Sequence, residues 1–334
     1  MSTPSKHVSS TDLVRLRPAL LAHCYRMMAS QADAEDAVQE TLLKAFKSFD
    51  RFEGRSSLKT WLMTIATRVC LDRLEQRKTT RRLLTSARLD MAGGPVPLGE
   101  LDTVPLVPTN DWVEPVPFTA ADSDTVTSPE SRLMRRESVR LAWVAALQSL
   151  APRQRAALLM AEVLELSAAE IASELSTTVP AINSALQRAR EMLSRRPGDG
   201  PEPRPIDQGL VERFVSAFER YDTEALTRIL REDAVMSMPP LSIWLEGPTS
   251  IAAWLVGRGA ACRGSRLVPT SANGQVAFGQ YKPAVAGDPK SVLLPWALVT
   301  LEAEPSGERL ESMTFFLDTA TLFPRFGLPA ELAP

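Results

Sequence analysis

Apolar positions recur at helical spacing through the first quarter of the chain. Leu13, Leu16, Leu20, Leu21, Cys24, Met27 and Met28 fall on one stripe and predict a helix over residues 13–29, with Asp12 as a candidate N-cap. Residues 30–34 break the run. A second helix, opened by Asp33 or Asp36, takes its apolar side from Ala37, Val38, Leu42, Leu43, Ala45 and Phe46. A polar turn over residues 50–57 leads into a third helix, about residues 58–78, with Leu58, Trp61, Leu62, Ile65, Ala66, Val69, Leu71 and Leu74 on its buried stripe. The pattern reads as a compact all-helical domain over residues 10–82.

The period then disappears. Residues 89–131 hold 7 prolines and an adjacent glycine pair, so helix cannot persist and a core cannot form; an extended linker over 83–131 is expected. Helical spacing resumes over residues 129–150, 152–163, 167–175 and 179–195, giving a second helical domain over 132–196. After a Pro/Gly-rich link the pattern changes again. Two helices over 207–221 and 222–230 precede β-like runs at 234–238, 266–272, 275–281, 290–300 and 310–317, with a helix at 248–256 between the first two. Helices followed by a meander of strands predict an α+β domain over 206–334, in which a curved sheet wraps a helix.

Charge sharpens this picture because it is segregated. The net charge is only −2, yet residues 13–82 carry 14 Lys/Arg against 8 Asp/Glu, and residues 89–131 carry 8 acidic residues and no basic one. Residues 132–196 are basic again, 10 against 6. Two cationic helical blocks on an anionic tether suggest two contacts with a polyanion; uneven solvated faces are the plainer reading. No apolar run reaches the roughly 20 residues that cross a bilayer, and the N-terminal residues lack the apolar core of a signal peptide. Neither a membrane nor export is therefore expected, and the chain is read as cytoplasmic. Three widely spaced cysteines fit neither a disulfide framework nor a CxxC metal site. No histidine follows His23, which excludes a histidine-based triad in the C-terminal half. No cofactor and no metal is expected.

Within the second basic block, Ser167 and Glu170 form a capping box before a short helix. A tight turn at 176–178 leads to a helix in whose first turn Pro180 is tolerated. Ala169, Ile171, Ala172, Leu175, Val179, Ile182, Leu186 and Ala189 can pack these helices together. Asn183, Ser184, Gln187, Arg188 and Arg190 are left for another surface. This is a helix-turn-helix pattern, whose second helix enters the major groove and whose Asn, Gln, Ser and Arg side chains read base edges or hold phosphate. A helical hairpin with a solvated face is the plainer alternative.

Two stretches carry a family resemblance. DAEDAVQETLLKAFKSFDRFEGRSSLKTWLMTIATRVCLDRLEQRK (33–78) resembles region two, and APRQRAALLMAEVLELSAAEIASELSTTVPAINSALQRARE (151–191) region four, of bacterial sigma-70-family sigma factors of the extracytoplasmic-function (ECF) type. DWVEPVP, MSMPPLSIWLEGP, NGQVAFGQY and FPRFGLP resemble the SigG- or SigJ-like subgroup, which adds a C-terminal SnoaL-like domain. The implied fold class is multidomain: two all-α domains, a region-two bundle and a region-four helix-turn-helix, plus an α+β cone of the SnoaL-like, nuclear transport factor two (NTF2)-like type.

The resemblance implies partners and sites. The helix beginning at residue 33 would dock on the clamp helices of core RNA polymerase through Asp33, Asp36, Gln39, Glu40, Lys44 and Lys47. Region four would meet the polymerase flap. Residues 51–78 would face promoter DNA at the −10 element through Arg51, Arg55, Ser57, Lys59, Thr64, Thr67, Arg68, Arg73 and Arg77. Many relatives carry Asn where Thr67 stands. The −35 element would meet Arg153, Ser167, Thr178, Pro180, Ala181, Asn183, Ser184, Gln187, Arg188 and Arg190. The acidic tether, with Asp102, Asp111, Glu114 and Asp122, would lie in the RNA path of polymerase. The function implied is promoter-specific initiation, with the C-terminal domain modulating it in cis and no catalytic centre. A helix-turn-helix regulator working without polymerase, and a cyclase- or hydrolase-like enzyme with a DNA-binding extension, are the alternatives. In the C-terminal domain Met236, Met238, Trp244, Trp254, Tyr281, Trp296 and Asp318 are candidates to line a pocket, and a simple core is the competing reading. A small-molecule ligand and an anti-sigma partner both stay open.

Overall fold

A computed structural model describes residues 10–52, 54, 56–76, 112–117, 141–194, 206–241, 244–288 and 290–334. The chain divides into two compact units, the first containing residues 1–82, 113–115 and 119–196, the second residues 83–112, 116–118 and 197–334.

The first unit begins with three helices, α1 (Ser10–Met28), α2 (Gln31–Ser48) and α3 (Leu58–Gln76), joined between α2 and α3 by a 3₁₀ turn at Phe49–Arg51. Leu20, Met27, Ala37, Val38, Leu62, Ala66 and Val69 interlock in the bundle core. The corner between α1 and α2 is tight. Ala29 adopts a left-handed φ of 56°, and its N–H donates to the Tyr25 carbonyl at 2.7 Å. Ser30 then caps α2, its hydroxyl accepting from the Asp33 N–H. Part of the expected free tether is packed here. The Tyr25 hydroxyl donates to the Glu114 carbonyl (2.6 Å), and the Glu114 N–H donates to the Ala29 carbonyl. The Glu114 carboxylate accepts from the Ser30 hydroxyl and the Gln31 N–H, at the positive end of α2. Val113 beside it is fully buried. The proline content excludes helix here but not an extended strap with one apolar anchor and one capping carboxylate. Asp102, Asp111 and Asp122 lie outside the described residues.

The same unit holds α4 (Leu141–Gln148), α5 (Pro152–Glu162), α6 (Ala168–Glu174) and α7 (Val179–Ser194). The sequence suggests two separate helical domains, but the two blocks share one unit. Arg155 explains much of this. It has no exposed surface and is the largest side chain so buried among the described residues. Its Nε donates to the Leu147 carbonyl (2.8 Å), Nη2 to the Gln148 and Leu150 carbonyls, and Nη1 to the Met27 carbonyl at the end of α1. A guanidinium placed among carbonyls at helix C-termini meets their negative partial charge. Burial pushes its pKa down to about 10, which leaves it charged at neutral pH. Gln148 adds a second link through its Nε2–H to the Arg26 carbonyl at 3.2 Å.

The second unit opens with α8 (Gln208–Glu219) and α9 (Thr223–Arg228), then β1 (Leu230–Ser237), β2 (Trp244–Glu246) and α10 (Gly247–Val256). Next come β3 (Arg266–Ala272), β4 (Gln275–Pro283), β5 (Leu293–Ala303), β6 (Leu310–Phe316) and α11 (Thr319–Arg325). The sheet order is β2-β1-β6-β5-β4-β3. Strands β3 to β6 form the expected antiparallel meander, and β1 joins it in parallel beside β6. Asn273 and Gly274, both left-handed, make the two-residue turn between β3 and β4. The Asn273 side chain accepts from the Val116 N–H, and its own N–H donates to the Val116 carbonyl. Phe214 and Phe218 of α8 pack on Phe278 and Phe315 of the sheet, with ring centroids 6.2 and 6.0 Å apart. β2 and α11 were not anticipated: three residues are too few to show alternation, and Pro324 inside α11 argues against helix from sequence.

His23 is completely buried in the first unit. Its Nε2 lies 2.8 Å from the Thr67 hydroxyl, which itself donates to the Met63 carbonyl, so Nε2 carries the hydrogen and the buried Nδ1 has no hydrogen-bond partner. Burial first, then the charge of Arg26, pushes its pKa down to about 3. The unfolded residue takes up a proton near pH 6.5 and the folded one does not, so stability falls as pH drops below 6.5. We expect His23 to withdraw about 2 kcal/mol of stability from this unit between pH 6.5 and 5. Urea unfolding at the two values should show that His23→Gln lacks this component; equal pH slopes in the variant and the unmodified chain would contradict it.

Candidate nucleic-acid and protein interfaces

On α2, Asp36 and Gln39 are exposed, Glu40 is half-buried, and Lys44 and Lys47 are exposed. Asp33 does not join this face: it is buried in the first turn, behind the Ser30 cap. Glu40 is held by Lys44 at 3.0 Å and by the Arg73 Nε of α3 at 3.1 Å. The Lys44 hydrogen bond, followed by that of Arg73, keeps the Glu40 carboxyl below its usual range. Between these charges stand two large apolar side chains in the open, Leu43 at 63% and Phe46 at 80% exposure. Helical spacing alone assigns both to the apolar side of α2. The signal against it was available, since Leu42–Leu43 and Ala45–Phe46 span too wide an arc for one helix face to bury.

On α3 the expected nucleic-acid face separates into two groups. Ser57 is exposed and caps the helix, accepting from the Thr60 N–H at 3.0 Å; Lys59 is half-buried one residue into it. Thr64 and Thr67 are corrections. Both are buried, and their hydroxyls donate to the carbonyls of Thr60 and Met63 one turn back, so they pack the bundle and do not reach a ligand. Arg73 is a second correction. Its guanidinium bonds Glu40 and Asp36 and ties α3 to α2. Arg68 is exposed, and it bonds the Glu174 carbonyl and carboxylate (2.9 Å to each from Nη2). Trp61 packs against Phe49 and Phe52, with ring centroids 6.1 and 5.0 Å away, which fits a core role. The side chain of Arg51 and all of Arg55 and Arg77 lie outside the described residues.

The helix-turn-helix is formed by α6 and α7. The Ser167–Glu170 capping box is present: the Ser167 hydroxyl accepts from the Glu170 N–H, and the Glu170 carboxylate accepts from the Ser167 N–H at 2.8 Å. Hydrogen bonds from the Ser167 hydroxyl and then its backbone lower the Glu170 pKa. Ser176, left-handed at φ 51°, turns the chain, and the Thr178 hydroxyl accepts from the Ala181 N–H at the start of α7. Ile171, Ala172, Ile182, Leu186 and Ala189 are buried between the helices, while Ala169 and Val179, expected to pack with them, are exposed. Pro180, Ala181, Asn183, Ser184, Gln187 and Arg188 are exposed along α7, and Arg153 is exposed on α5. Arg190 is exposed too but bonds Glu162 at 2.7 Å, so it braces α7 against α5.

In the second unit the pocket candidates are largely core. Met236, Met238 and Trp254 belong to the hydrophobic core, and Trp244 is buried at the edge of the sheet. The buried Tyr281 ring sends its hydroxyl to the Pro329 carbonyl at 2.8 Å. Trp296 is half-buried under the Lys282 ammonium, 3.4 Å from its ring centroid. Asp318 is a correction: it caps α11, accepting from the Thr321 N–H, and is not a pocket acid. Among the described residues no group of three or more His, Cys, Asp or Glu could hold a metal ion, and no helix is long and apolar enough to cross a membrane.

Comparison with known proteins bears on both helical blocks. Residues 13–80 match Sigma-70 region 2 and residues 140–193 match Sigma-70, region 4. The chain is 43% identical over 327 residues to the ECF RNA polymerase sigma factor SigG of Mycobacterium tuberculosis, covering 95% of this chain and 82% of that one. It is 26% identical to SigJ of the same organism, over 68% of this chain and 64% of that one. The crystal structure of Mycobacterium tuberculosis SigJ has the same fold, with a TM-score of 0.61 at 20% identity, covering 96% of this chain and all of that one.

The capping box gives a local test. Ser167→Ala removes the acceptor for the first turn of α6 and should cost about 1 kcal/mol of stability. Denaturant titration of the full chain will measure it. A loss below a few tenths of a kcal/mol would mean that α6 does not depend on its cap.

Proposed function

Because the chain belongs to the ECF family of RNA polymerase sigma factors, we propose residue-level roles for the surfaces through which it binds core polymerase and promoter DNA. The family directs promoter-specific transcription initiation and is not enzymatic, so the regulator without polymerase and the enzyme with a DNA-binding extension both fall away.

The polymerase contact is the exposed face of α2. Exposed apolar pairs rimmed by charge mark protein interfaces. Leu43 and Phe46, with Asp36, Gln39 and Lys47 around them, meet that description. Their exposure is the single observation that carries this reading. Asp33 is left out of it. The −10 contact is the face of α3 that runs from Ser57 and Lys59 at its start to Arg68 at its middle. The −35 contact is α7, whose Asn183, Ser184, Gln187 and Arg188 suit the major groove, with Arg153 positioned for phosphate. Residues 206–334 modulate these contacts in cis, and the protein acts in the cytoplasm, where polymerase and promoters are found.

Two outcomes are expected. Phe46→Ser, which removes an exposed side chain, should weaken binding to core polymerase at least tenfold and leave the unfolding midpoint unchanged; unchanged affinity would remove α2 from the interface. Run-off transcription with core polymerase should differ between the full chain and a form ending at residue 205. Identical transcript levels would show that the C-terminal domain has no part in initiation.

A further inference from the structure

Charge in the second unit is segregated. Residues 247–287 carry four Lys/Arg and no Asp/Glu, whereas the remainder of 206–334 carries 7 Lys/Arg against 15 Asp/Glu. The four are Arg258, Arg263, Arg266 and Lys282, and the fold gathers them with Arg220 at one end of the unit. Arg220 is the C-cap of α8. The hydroxyl of Tyr221, the next residue, donates to the carbonyls of Leu255 (2.8 Å) and Gly259, which fastens the end of α8 to a 3₁₀ turn at Arg258–Cys262. Glu219 Oε1 accepts from the Leu267 N–H at 2.9 Å, which fastens the same helix end to the start of β3, where Arg266 stands. Arg266 is in register with Tyr281 of β4, the neighbour of Lys282.

The arginines face outward. Arg220, Arg258, Arg263 and Arg266 are all exposed. The Cζ of Arg263 lies 4.9 Å from the centroid of the Tyr221 ring, and that of Arg258 lies 5.4 Å from the Trp254 ring. A guanidinium held over a ring has surrendered rotamer freedom before any ligand arrives, and its fork of N–H donors matches a phosphate. The turn beneath them is closely packed: a Cβ at Gly259 would come 2.9 Å from the Trp254 carbonyl oxygen and 3.2 Å from its ring. Among the described residues no carboxylate pairs with Arg220, Arg263 or Arg266. Glu219 and Asp222, beside them in the chain, accept from the backbone N–H groups of Leu267 and Ala225. In the first unit, by contrast, Arg68, Arg73 and Arg190 are each bonded to a carboxylate. A cluster of arginines on a domain that is otherwise acidic is the electrostatic footprint of a polyanion, and promoter DNA is the polyanion to which this chain is brought.

We propose that this end of the second unit is a DNA contact in its own right, in which Arg220, Arg258, Arg263 and Arg266 hold backbone phosphates of the duplex. The inference rests on the chain acting at promoter DNA, and on no assignment within α3 or α7. Phosphates carry no sequence information, so the surface adds affinity and leaves base specificity to other elements. It also gives modulation in cis a physical form: the C-terminal domain strengthens the grip on DNA.

The test is binding of the full chain to a duplex without promoter elements, followed by fluorescence anisotropy over a range of salt concentrations. Each phosphate contact contributes about 0.9 to the slope of log affinity against log salt. The triple variant Arg258→Gln, Arg263→Gln, Arg266→Gln should make that slope shallower by about three and lower the affinity at least tenfold. Arg266→Gln alone should remove about one, and it carries the test if circular dichroism shows that the triple variant does not fold. The control variant Arg228→Gln, Arg309→Gln removes two cations beside the Leu230–Leu310 pair of the sheet and should leave the slope unchanged. An unchanged slope in the folded arginine variants, or the same fall per charge in the control, would overturn the contact. So would lost affinity for core polymerase, or for phosphatidylglycerol vesicles, with the DNA slope intact, because the surface would then serve a protein or a lipid. The duplex holds no promoter, so the outcome is separate from the promoter assignments: absence of promoter-specific transcripts from the unmodified chain would defeat those alone.

Discussion

A guanidinium can lose its water only where the protein replaces every hydrogen bond the water made. Arg155 approaches that condition with four bonds to carbonyls at the C-terminal ends of helices, one of which, that of Leu147, also accepts from the Leu150 N–H. The consequence runs in both directions. Helix ends that would otherwise need solvent can come together, and the cation that joins them cannot be removed without stranding several acceptors. The ends of α1 and α4 meet at this point, and the packing of the first unit follows from it. An aliphatic side chain there would fill the volume and leave the carbonyls bare.

The same accounting applies to the basic residues that make the helical blocks look like nucleic-acid binders. A net excess of cations measures only what the chain carries. Arg73 and Lys44 neutralise Glu40, Asp36 and Asp72 within the first block. Arg190 is taken by Glu162, and Arg68 by Glu174. Exposed ion pairs of this kind are individually weak, so a phosphate can compete for Arg68 or Arg190. Arg73, half-buried and shared by two carboxylates, is far less available. Of the side chains expected to read bases, those on α7 are the most accessible, and their exposure follows from helical spacing alone.

That difference explains what was legible in the sequence. The Ser167–Glu170 box, the tight turn after α6, the bounds of β3 and the meander from β3 to β6 all depend on local chemistry, and local chemistry is written in adjacent letters. Thr67 was misread because a threonine on a basic helix looks like a surface residue until His23 is brought against it from 44 positions away. Arg155 was invisible for the same reason. PRQRAALL places it in a polar first turn, and nothing nearby announces carbonyls arriving from α1. Leu43 and Phe46 were misjudged by assuming that apolar residues on a helix belong to a core. A partner outside the chain satisfies the same pattern equally well.

The second unit shows how far a fold can be carried without its chemistry. A cone of sheet and helix can enclose a cavity with an acid or base in it, and such a site needs a titratable group facing the interior. Here the interior is filled by Phe214, Phe218, Met236, Trp254, Phe278 and Phe315. Two carboxylates of this unit have structural tasks: Asp318 caps a helix, and Asp233 pairs with Arg231. The Tyr281 hydroxyl is held by a backbone carbonyl, and burial moves its ionisation upward, away from neutral pH. Packing of this kind ties the residues that could have lined a pocket into the core or into backbone contacts.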